Sequence, residues 1–93
     1  MKALTKPKLP LALRDTVIYR DRVIPIKIKI YENSVVALLA QDSDFFGQGK
    51  TIHEAKESLL RSLADEWAFL SKHVDELSGE LQAKYKLLQR LLA

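Results

Sequence analysis

Cysteine is absent from this 93-residue sequence, and glycine and proline are scarce, with three of each. Without cysteine the chain has no disulfide framework, no zinc knuckle and no thiol nucleophile. The low glycine and proline content, beside 47% hydrophobic and 29% charged residues, excludes collagen-like and low-complexity disordered chains. The length leaves room for one core, so we expect a single folded domain.

Long hydrophobic runs are also missing. The longest apolar run, residues 35–40, has six residues, far short of the ~20 that span a bilayer. Lys6, Pro7, Lys8 and Pro10 interrupt the N-terminal segment, which therefore does not resemble a secretory signal. We expect a cytoplasmic protein without a membrane partner.

The positive charge is concentrated at the N-terminus. The net charge is +3, but residues 1–14 carry four basic residues and no acid, whereas the remaining 79 hold 11 bases and 12 acids. A nearly neutral domain gains little of the counterion-release affinity on which nucleic-acid binding depends. We therefore do not expect the domain itself to bind nucleic acid.

Residues 1–14 contain two prolines and no hydrophobic periodicity, which predicts an extended basic arm. The arm is either a disordered tail or a segment that binds a partner or a phosphate. Residues 15–93 are expected to form one α+β domain, with a core over 16–77 and a C-terminal helix over 79–92.

The first half of the domain has the pattern of strands. Residues 16–20 are rich in β-formers, and in the run Val23 to Tyr31 isoleucines alternate with other residues, as in a half-buried strand. This alternation places Lys27, Lys29 and Tyr31 on the face opposite the isoleucines. Turn residues 32–34 then lead into a third strand, Val35 to Gln41.

The third strand is apolar on both faces, which is typical of a central strand covered on two sides. One helix covers one side only, so the second cover is another helix, the N-terminal arm or another subunit. Because the excess apolar area favours association, we expect a homodimer. Phe45-Phe46 is a candidate fourth strand, in which alternation turns at least one ring outward.

A helix is predicted to start at Thr51, because Thr51 and Glu54 have the spacing of a capping box. Gly47 and Gly49 precede it in a predicted tight turn with positive φ, and Ala55 allows close packing. A leucine stripe that includes Trp67 continues along this helix, with a break between Ser71 and Gly79 and a second leucine-rich helix after it.

The order of elements, strands first and helices afterwards, predicts an α+β fold. Its core is a small antiparallel sheet of three to four strands in a β-β-β-α arrangement, to which the C-terminal helix is added.

Catalytic and cofactor motifs are weak. Gly49-Lys50-Thr51 resembles the end of a phosphate-binding loop, but Asp44 stands where that motif needs glycine. His53 and His73 have no second histidine at ligand spacing, and their neighbours Glu57 and Glu76 suggest solvated pairs. We expect no catalytic residues, no metal, no cofactor and no enzymatic activity.

The segment Gly49 to Ala55, together with the preceding strands and the following amphipathic helix, resembles the HicB-like antitoxin domain, a small β-β-β-α fold described as partially RNase H-like. The matching signature is Gly-x-Thr-x-x-Glu-Ala, and the structural motif comprises Gly47, Gly49, Thr51, Glu54 and Ala55. Nuclease chemistry is not expected, because Lys27 and Lys29 occupy strand positions where metal-binding carboxylates would be required.

The resemblance implies a non-catalytic protein-binding module that neutralises a small, basic, RNA-cleaving toxin. The alternative is a stand-alone structural or regulatory homo-oligomer with no toxin partner. An acidic loop with an aromatic anchor suits a basic partner, since complementary charge speeds encounter and a buried aromatic ring holds the complex. The candidate partner-binding residues are Asp42, Asp44, Phe45 and Phe46 in the loop and Lys27, Lys29 and Tyr31 on the sheet.

Overall fold

The computed structural model describes residues 10–42 and 44–93. Four strands come first: β1 (Leu11–Tyr19), β2 (Arg22–Ile30), β3 (Val35–Leu39) and β4 (Phe46–Gly49). Two helices follow, α1 (Ile52–Lys72) and α2 (Gly79–Leu92), with one turn of 3-10 helix at Val74–Glu76 between them. The predicted α+β fold, with its antiparallel sheet and C-terminal helix, is confirmed.

The strands form one antiparallel sheet in the order β1-β2-β3-β4, so every strand pairs with its neighbour in sequence. A two-residue turn, Arg20-Asp21, joins β1 to β2, and Arg20 takes the positive φ of 47° that such a turn requires. This local connectivity leaves β1 and β4 as the two edges of the sheet.

The core lies on one face of the sheet, which we call the helix face. The isoleucines of β2 point to it, and Ile24, Ile26 and Ile28 are each no more than 1% exposed. Leu59 and Leu63 of α1 and Leu88 of α2 are fully buried against this layer. Both helices therefore cover the same face, and no helix of the described residues lies on the opposite face, the outer face.

Helix α1 begins as the capping pattern predicts. The Thr51 Oγ1 accepts a hydrogen bond from the Glu54 backbone N–H at 3.1 Å. The Glu54 carboxylate reaches back to the backbone N–H of Lys50, at 2.8 Å, one residue before the N-cap itself. The two bonds satisfy donors at the helix start and fix the angle at which the chain leaves β4.

The predicted role of Gly47 and Gly49 is wrong. Both lie within β4 rather than in a turn, and no glycine among the described residues has positive φ. They are small because α1 passes directly over them: a Cβ on Gly47 would lie 2.1 Å from the Leu59 backbone nitrogen, and one on Gly49 would lie 2.4 Å from the Glu54 Cβ. Ala55, fully buried in the same contact, has the close-packing role expected of it.

The boundaries of the first and third strands also differ from expectation. Residues 11–14, assigned to the basic arm, belong to β1 and pair with the end of β2. Strand β3 ends at Leu39, two residues before Gln41. The rest of the arm, residues 1–9, lies outside the described residues.

The break between the helices falls inside the predicted interval. Trp67 of α1 stacks on Tyr85 of α2, with ring centroids 5.3 Å apart and planes 17° from parallel. At the far end of α2, the Arg22 guanidinium donates to the backbone carbonyls of Arg90 and Ala93. These contacts hold α2 beside α1 and against the β1-β2 turn.

Candidate partner-binding surface

The outer face is the side of the sheet that neither α1 nor α2 covers, and its composition follows from strand register. Residues directly opposite each other on paired strands share a face, so the alternation that buries the isoleucines turns every second residue outward. The outer face consists of Ala12, Arg14, Thr16, Ile18, Val23, Pro25, Lys27, Lys29, Val36, Leu38, Phe46 and Gln48.

The half of the outer face formed by β1 and β2 is basic. Arg14 lies directly opposite Lys27, and Lys29 is the next outward residue along β2. All three cations line shallow cavities, including one of about 320 Å³ that they share. None of them forms an ion pair among residues 10–42 and 44–93, and like charges placed directly opposite repel each other.

The half formed by β3 and β4 is apolar. Leu38 pairs with Lys27 on one side and with Phe46 on the other, so a single row across the sheet changes from basic to apolar. Val36 and Leu38 are partly exposed, and Phe46 is 50% exposed. A half-exposed phenylalanine beside a leucine is the kind of aromatic anchor found at protein interfaces.

The acidic loop between β3 and β4 is shaped by one of its own carboxylates. The Asp42 Oδ1 accepts from the Asp44 backbone N–H at 2.9 Å, and the Asp42 carbonyl accepts from the Phe45 N–H at 3.2 Å. This Asx-type turn uses Asp42 partly for structure, whereas the Asp44 side chain is exposed. Of the two acids, Asp44 is the one free to meet a partner.

Asp44 and Phe46 come together at the free edge of the sheet. Both line a cavity of about 350 Å³ between β4 and α1, whose helix wall is formed by Ser58, Ser62 and Glu66. We call this cavity the β4-edge groove. Glu66 adds a second carboxylate to it and Lys84 of α2 adds one ammonium group. Spacing of four residues along α1 brings the three helix residues to one side.

Phe45 also lines the β4-edge groove but is mostly buried. It is 6% exposed and packs in the core on the helix face, where the Lys84 Nζ lies 5.5 Å from its ring centroid. The Phe45-Phe46 pair is therefore divided by strand alternation. One ring joins the core and the other faces outward, as the sequence predicts.

The remaining sheet candidates lie farther from the groove. Lys27 is two strands away from Phe46, or about 10 Å at the usual strand spacing. Tyr31 follows β2, is 40% exposed, and donates its backbone N–H to the Ser34 carbonyl at 2.8 Å. Lys27, Lys29 and Tyr31 thus form a rim of the outer face rather than part of the groove itself.

Sequence reasoning missed Arg14, Leu38 and Glu66 as members of this surface. Arg14 was assigned to the arm, although its place in the alternation of residues 11–19 was available as a signal. Glu66 carried no such signal, because its place beside the groove depends on how α1 crosses β4. Nothing in the sequence indicates which face of β3 the helices cover.

An ion pair outside the outer face ties β1 to α1. The Lys56 Nζ lies 2.9 Å from the Asp15 Oδ2, and the Asp15 Oδ1 accepts from the Thr16 backbone N–H at 2.7 Å. The hydrogen bond from Lys56, followed by that from Thr16, lowers the pKa of the Asp15 carboxyl below its ordinary value.

The histidines lie on exposed helical surface beside their expected glutamates. The His53 Nε2 is 2.9 Å from the Glu57 carboxylate, and the His73 Nδ1 is 3.4 Å from that of Glu76. Within the described ranges, no group of three or more histidine, cysteine or acidic side chains is arranged to hold a metal ion. Over the same ranges, neither helix combines the length and apolar character that crossing a bilayer requires.

Comparisons with family models, with curated proteins and with solved structures found no match to this chain. The likeness to the HicB-like domain therefore depends on the Gly49 to Ala55 segment and the order of elements around it.

Proposed function

We propose that the chain is a non-catalytic, cytoplasmic protein-binding module of the HicB-like kind, an antitoxin that neutralises a small RNA-cleaving toxin. The observation that carries this proposal is the half-exposed Phe46 at an acidic sheet edge. A binding module needs an apolar anchor to hold its partner and charged groups around it to select that partner.

The β4-edge groove favours a basic partner. Asp44, Phe46 and Glu66 line it together with Lys84, so two carboxylates outweigh one ammonium group, and an RNA-cleaving protein carries positive charge to hold its phosphate substrate. A basic side chain of the toxin would meet the two carboxylates while an apolar residue packs on Phe46. Strand β4 also presents free backbone groups at this edge, to which an extended segment of a partner can pair.

The test is titration calorimetry of the purified chain against the product of each adjacent open reading frame that encodes a small basic protein. A triple variant, Asp42→Asn, Asp44→Ala and Phe46→Ala, should weaken binding at least about 30-fold, since loss of a buried anchor costs about 2 kcal/mol or more. Asparagine at position 42 keeps the oxygen that accepts the Asp44 N–H, so the loop should retain its shape.

Ile18→Ala is the matched control, because Ile18 is 67% exposed and lies on β1, at the opposite edge of the sheet from the groove. It should leave binding unchanged, and stoichiometric wild-type protein should stop RNA cleavage by the toxin. Full binding by the triple variant would place the interface elsewhere. Binding to no such protein at all would contradict the antitoxin proposal.

A stand-alone homo-oligomer is the second candidate, and a separate observation favours it. Leu11, Leu13, Ile18 and Val23 are large apolar residues between 38% and 67% exposed, and all belong to the β1-β2 hairpin, at the opposite side of the sheet from the groove. Association through this hairpin without any toxin would support a structural or regulatory role.

A further inference from the structure

Strand β1 is a nine-residue edge strand whose free backbone groups can be assigned. Tyr19 and Arg22 flank the two-residue turn, so they form the first hydrogen-bonded pair of the hairpin, and bonded pairs then recur at every second residue. The odd residues of β1 bond to β2. The even residues, Ala12, Arg14, Thr16 and Ile18, direct their N–H and C=O groups away from the sheet.

The hydrogen bonds of Pro25 and Thr16 agree with this division into inward and outward backbone groups. Pro25 lies opposite Thr16 in a non-bonded position, and its carbonyl accepts instead from the N–H of Ala40, the residue after β3. The outward N–H of Thr16 is taken by the Asp15 carboxylate at 2.7 Å. Within the described residues, the free outward groups of the first half of β1 are therefore those of Ala12 and Arg14.

The same half of β1 exposes leucines on the helix face. Leu13 is 42% exposed and Leu11 is 38% exposed, although their partners on β2, Ile28 and Ile30, lie in or beside the core. Helix α1 lies beside the second half of β1, Asp15 to Ile18, and Leu11 and Leu13 belong to the first half. Within residues 10–42 and 44–93, an unpaired edge and an exposed apolar patch thus coincide in one short segment.

Charge favours pairing of two β1 edges over stacking of two outer faces as the way in which a second copy covers this segment. Stacking two outer faces would bring Arg14, Lys27 and Lys29 of one copy against the same cations of another, which is unfavourable. Residues 11–15, in contrast, carry one cation and one anion, so two copies of this segment meet without net repulsion. Residues 1–9 are poor competitors for the edge by composition, since they hold three lysines and a proline.

We propose that the first half of β1 pairs antiparallel with the same segment of a second copy, with Leu13 on the two-fold axis. Such an interface is self-complementary: Ala12 of each copy exchanges two backbone hydrogen bonds with Arg14 of the other. Thr16, whose N–H is already bonded, lies opposite Pro10, which has no N–H. The sheets become continuous, and both pairs of helices lie on the same side.

This register places the four leucines of the two copies in one cluster on the helix face. Leu13 of each copy faces Leu13 of the other in a non-bonded position, where side chains approach most closely. An Asp15–Lys56 ion pair closes the cluster at each end. A pairing over so few residues buries less area than the roughly 800 Å² per partner of stable complexes. We therefore expect the dimer to form only at high protein concentration.

Single-cysteine variants test the register directly, because the chain has no cysteine of its own. Under mild oxidation Leu13→Cys should form a disulfide-linked dimer, since non-bonded pairs have the Cα separation that disulfides need. Leu11→Cys is the matched control, on the same face and almost equally exposed. In the proposed register the two copies of residue 11 are about 14 Å apart, too far for a disulfide.

The expected result is about 10-fold or more cross-linked product from Leu13→Cys over Leu11→Cys at equal concentration. Equal cross-linking of the two variants, or none by Leu13→Cys, would overturn the proposal. Circular dichroism confirms that each variant is folded, and neither substitution touches the β4-edge groove. A failed toxin interaction would therefore leave this result unaffected.

Arg14→Pro gives a second measurement without new cysteines. It removes an outward N–H that the chain's own sheet does not use, so the fold should persist while the dimer is lost. Sedimentation of the wild-type chain from about 1 to 500 µM should show conversion from one chain to two, and the variant should stay a single chain. A wild-type monomer throughout this range contradicts the proposal.

Discussion

The two edges of the sheet meet α1 in opposite ways. At β4 the helix backbone lies so close that two strand positions accommodate only glycine, and Ala55 and Leu59 are fully buried. At β1 the core includes Val17, which is 4% exposed, and Asp15 is tied to Lys56 of α1, but two leucines of the same face stay partly in water. Among the described residues, one edge is thus closed by backbone packing, and the other is packed over its second half and open over its first.

This difference separates stability from binding. Close packing at β4 contributes apolar burial and dispersion contacts that are lost together if the helix shifts. The Asp15–Lys56 pair is only partly buried and a pair of this kind contributes little to stability, so the first half of β1 can change its partners without unfolding the domain. We expect substitutions at the first edge to unfold the protein and substitutions at the second to alter association.

The largest effect is expected for Gly47→Val. Its Cβ would overlap the Leu59 nitrogen and the Ser58 carbonyl carbon, backbone atoms that cannot rotate away, so α1 must lift from β4. We expect a loss of about 3 kcal/mol or more in the free energy of unfolding, measured by urea titration. Gly79→Ala is the control, since nothing lies within 4 Å of its new Cβ; a wild-type midpoint for Gly47→Val would show that the edge is not tightly packed.

Truncating one leucine near each edge of the sheet tests whether the two edges differ in packing. Leu59→Ala should cost about 2 to 5 kcal/mol, because the residue is fully buried and its removal leaves a cavity. Leu13→Ala removes the same atoms from a partly exposed site and should cost less than about 1 kcal/mol in dilute solution. Similar losses in the two variants, by chemical denaturation at low protein concentration, would mean that the two edges are equally packed.

The smallest effect concerns the pH dependence of the β1 contact. The pKa of Asp15 is lowered in the folded state by Lys56 and Thr16, so its ionised form stabilises the fold. That contribution is fully present above the unfolded value of about 3.8 and is lost as pH falls through the lower folded pKa. Unfolding midpoints measured from pH 6 down to 2 should show a smaller acid loss for Asp15→Asn and Lys56→Gln than for the wild type, and identical profiles would contradict the assignment.

Local patterns predicted the elements that local chemistry determines. The isoleucine alternation located β2 and its faces, and the Thr51–Glu54 spacing located the start of α1. Gly47 and Gly49 were singled out correctly, but the reason given for them was wrong. A position that must be small under a helix and a position that needs positive φ are both occupied by glycine, so the sequence alone does not distinguish them. The distinction depends on where α1 lies, which is a tertiary property.

The start of β1 was missed because two prolines and four basic residues dominate the composition of residues 1–14. The sequence alone therefore assigns Leu11, Ala12 and Leu13 to the arm, and only their pairing with β2 shows that they belong to β1. The candidate surface was predicted in part: Phe46 and Asp44 meet, whereas Phe45 is a core residue. The contribution of Glu66 could not be foreseen, since it depends on the angle at which α1 crosses β4.

The stacking of Trp67 on Tyr85 provides an intrinsic fluorescence probe of the contact between the two helices. Trp67 is the single tryptophan of the chain, and its neighbour across the helix pair is an aromatic ring 5.3 Å away. Tryptophan emission therefore follows the docking of α2 on α1, while far-ultraviolet dichroism follows the whole backbone. If the two signals separate during unfolding, the C-terminal helix leaves as a unit before the sheet melts.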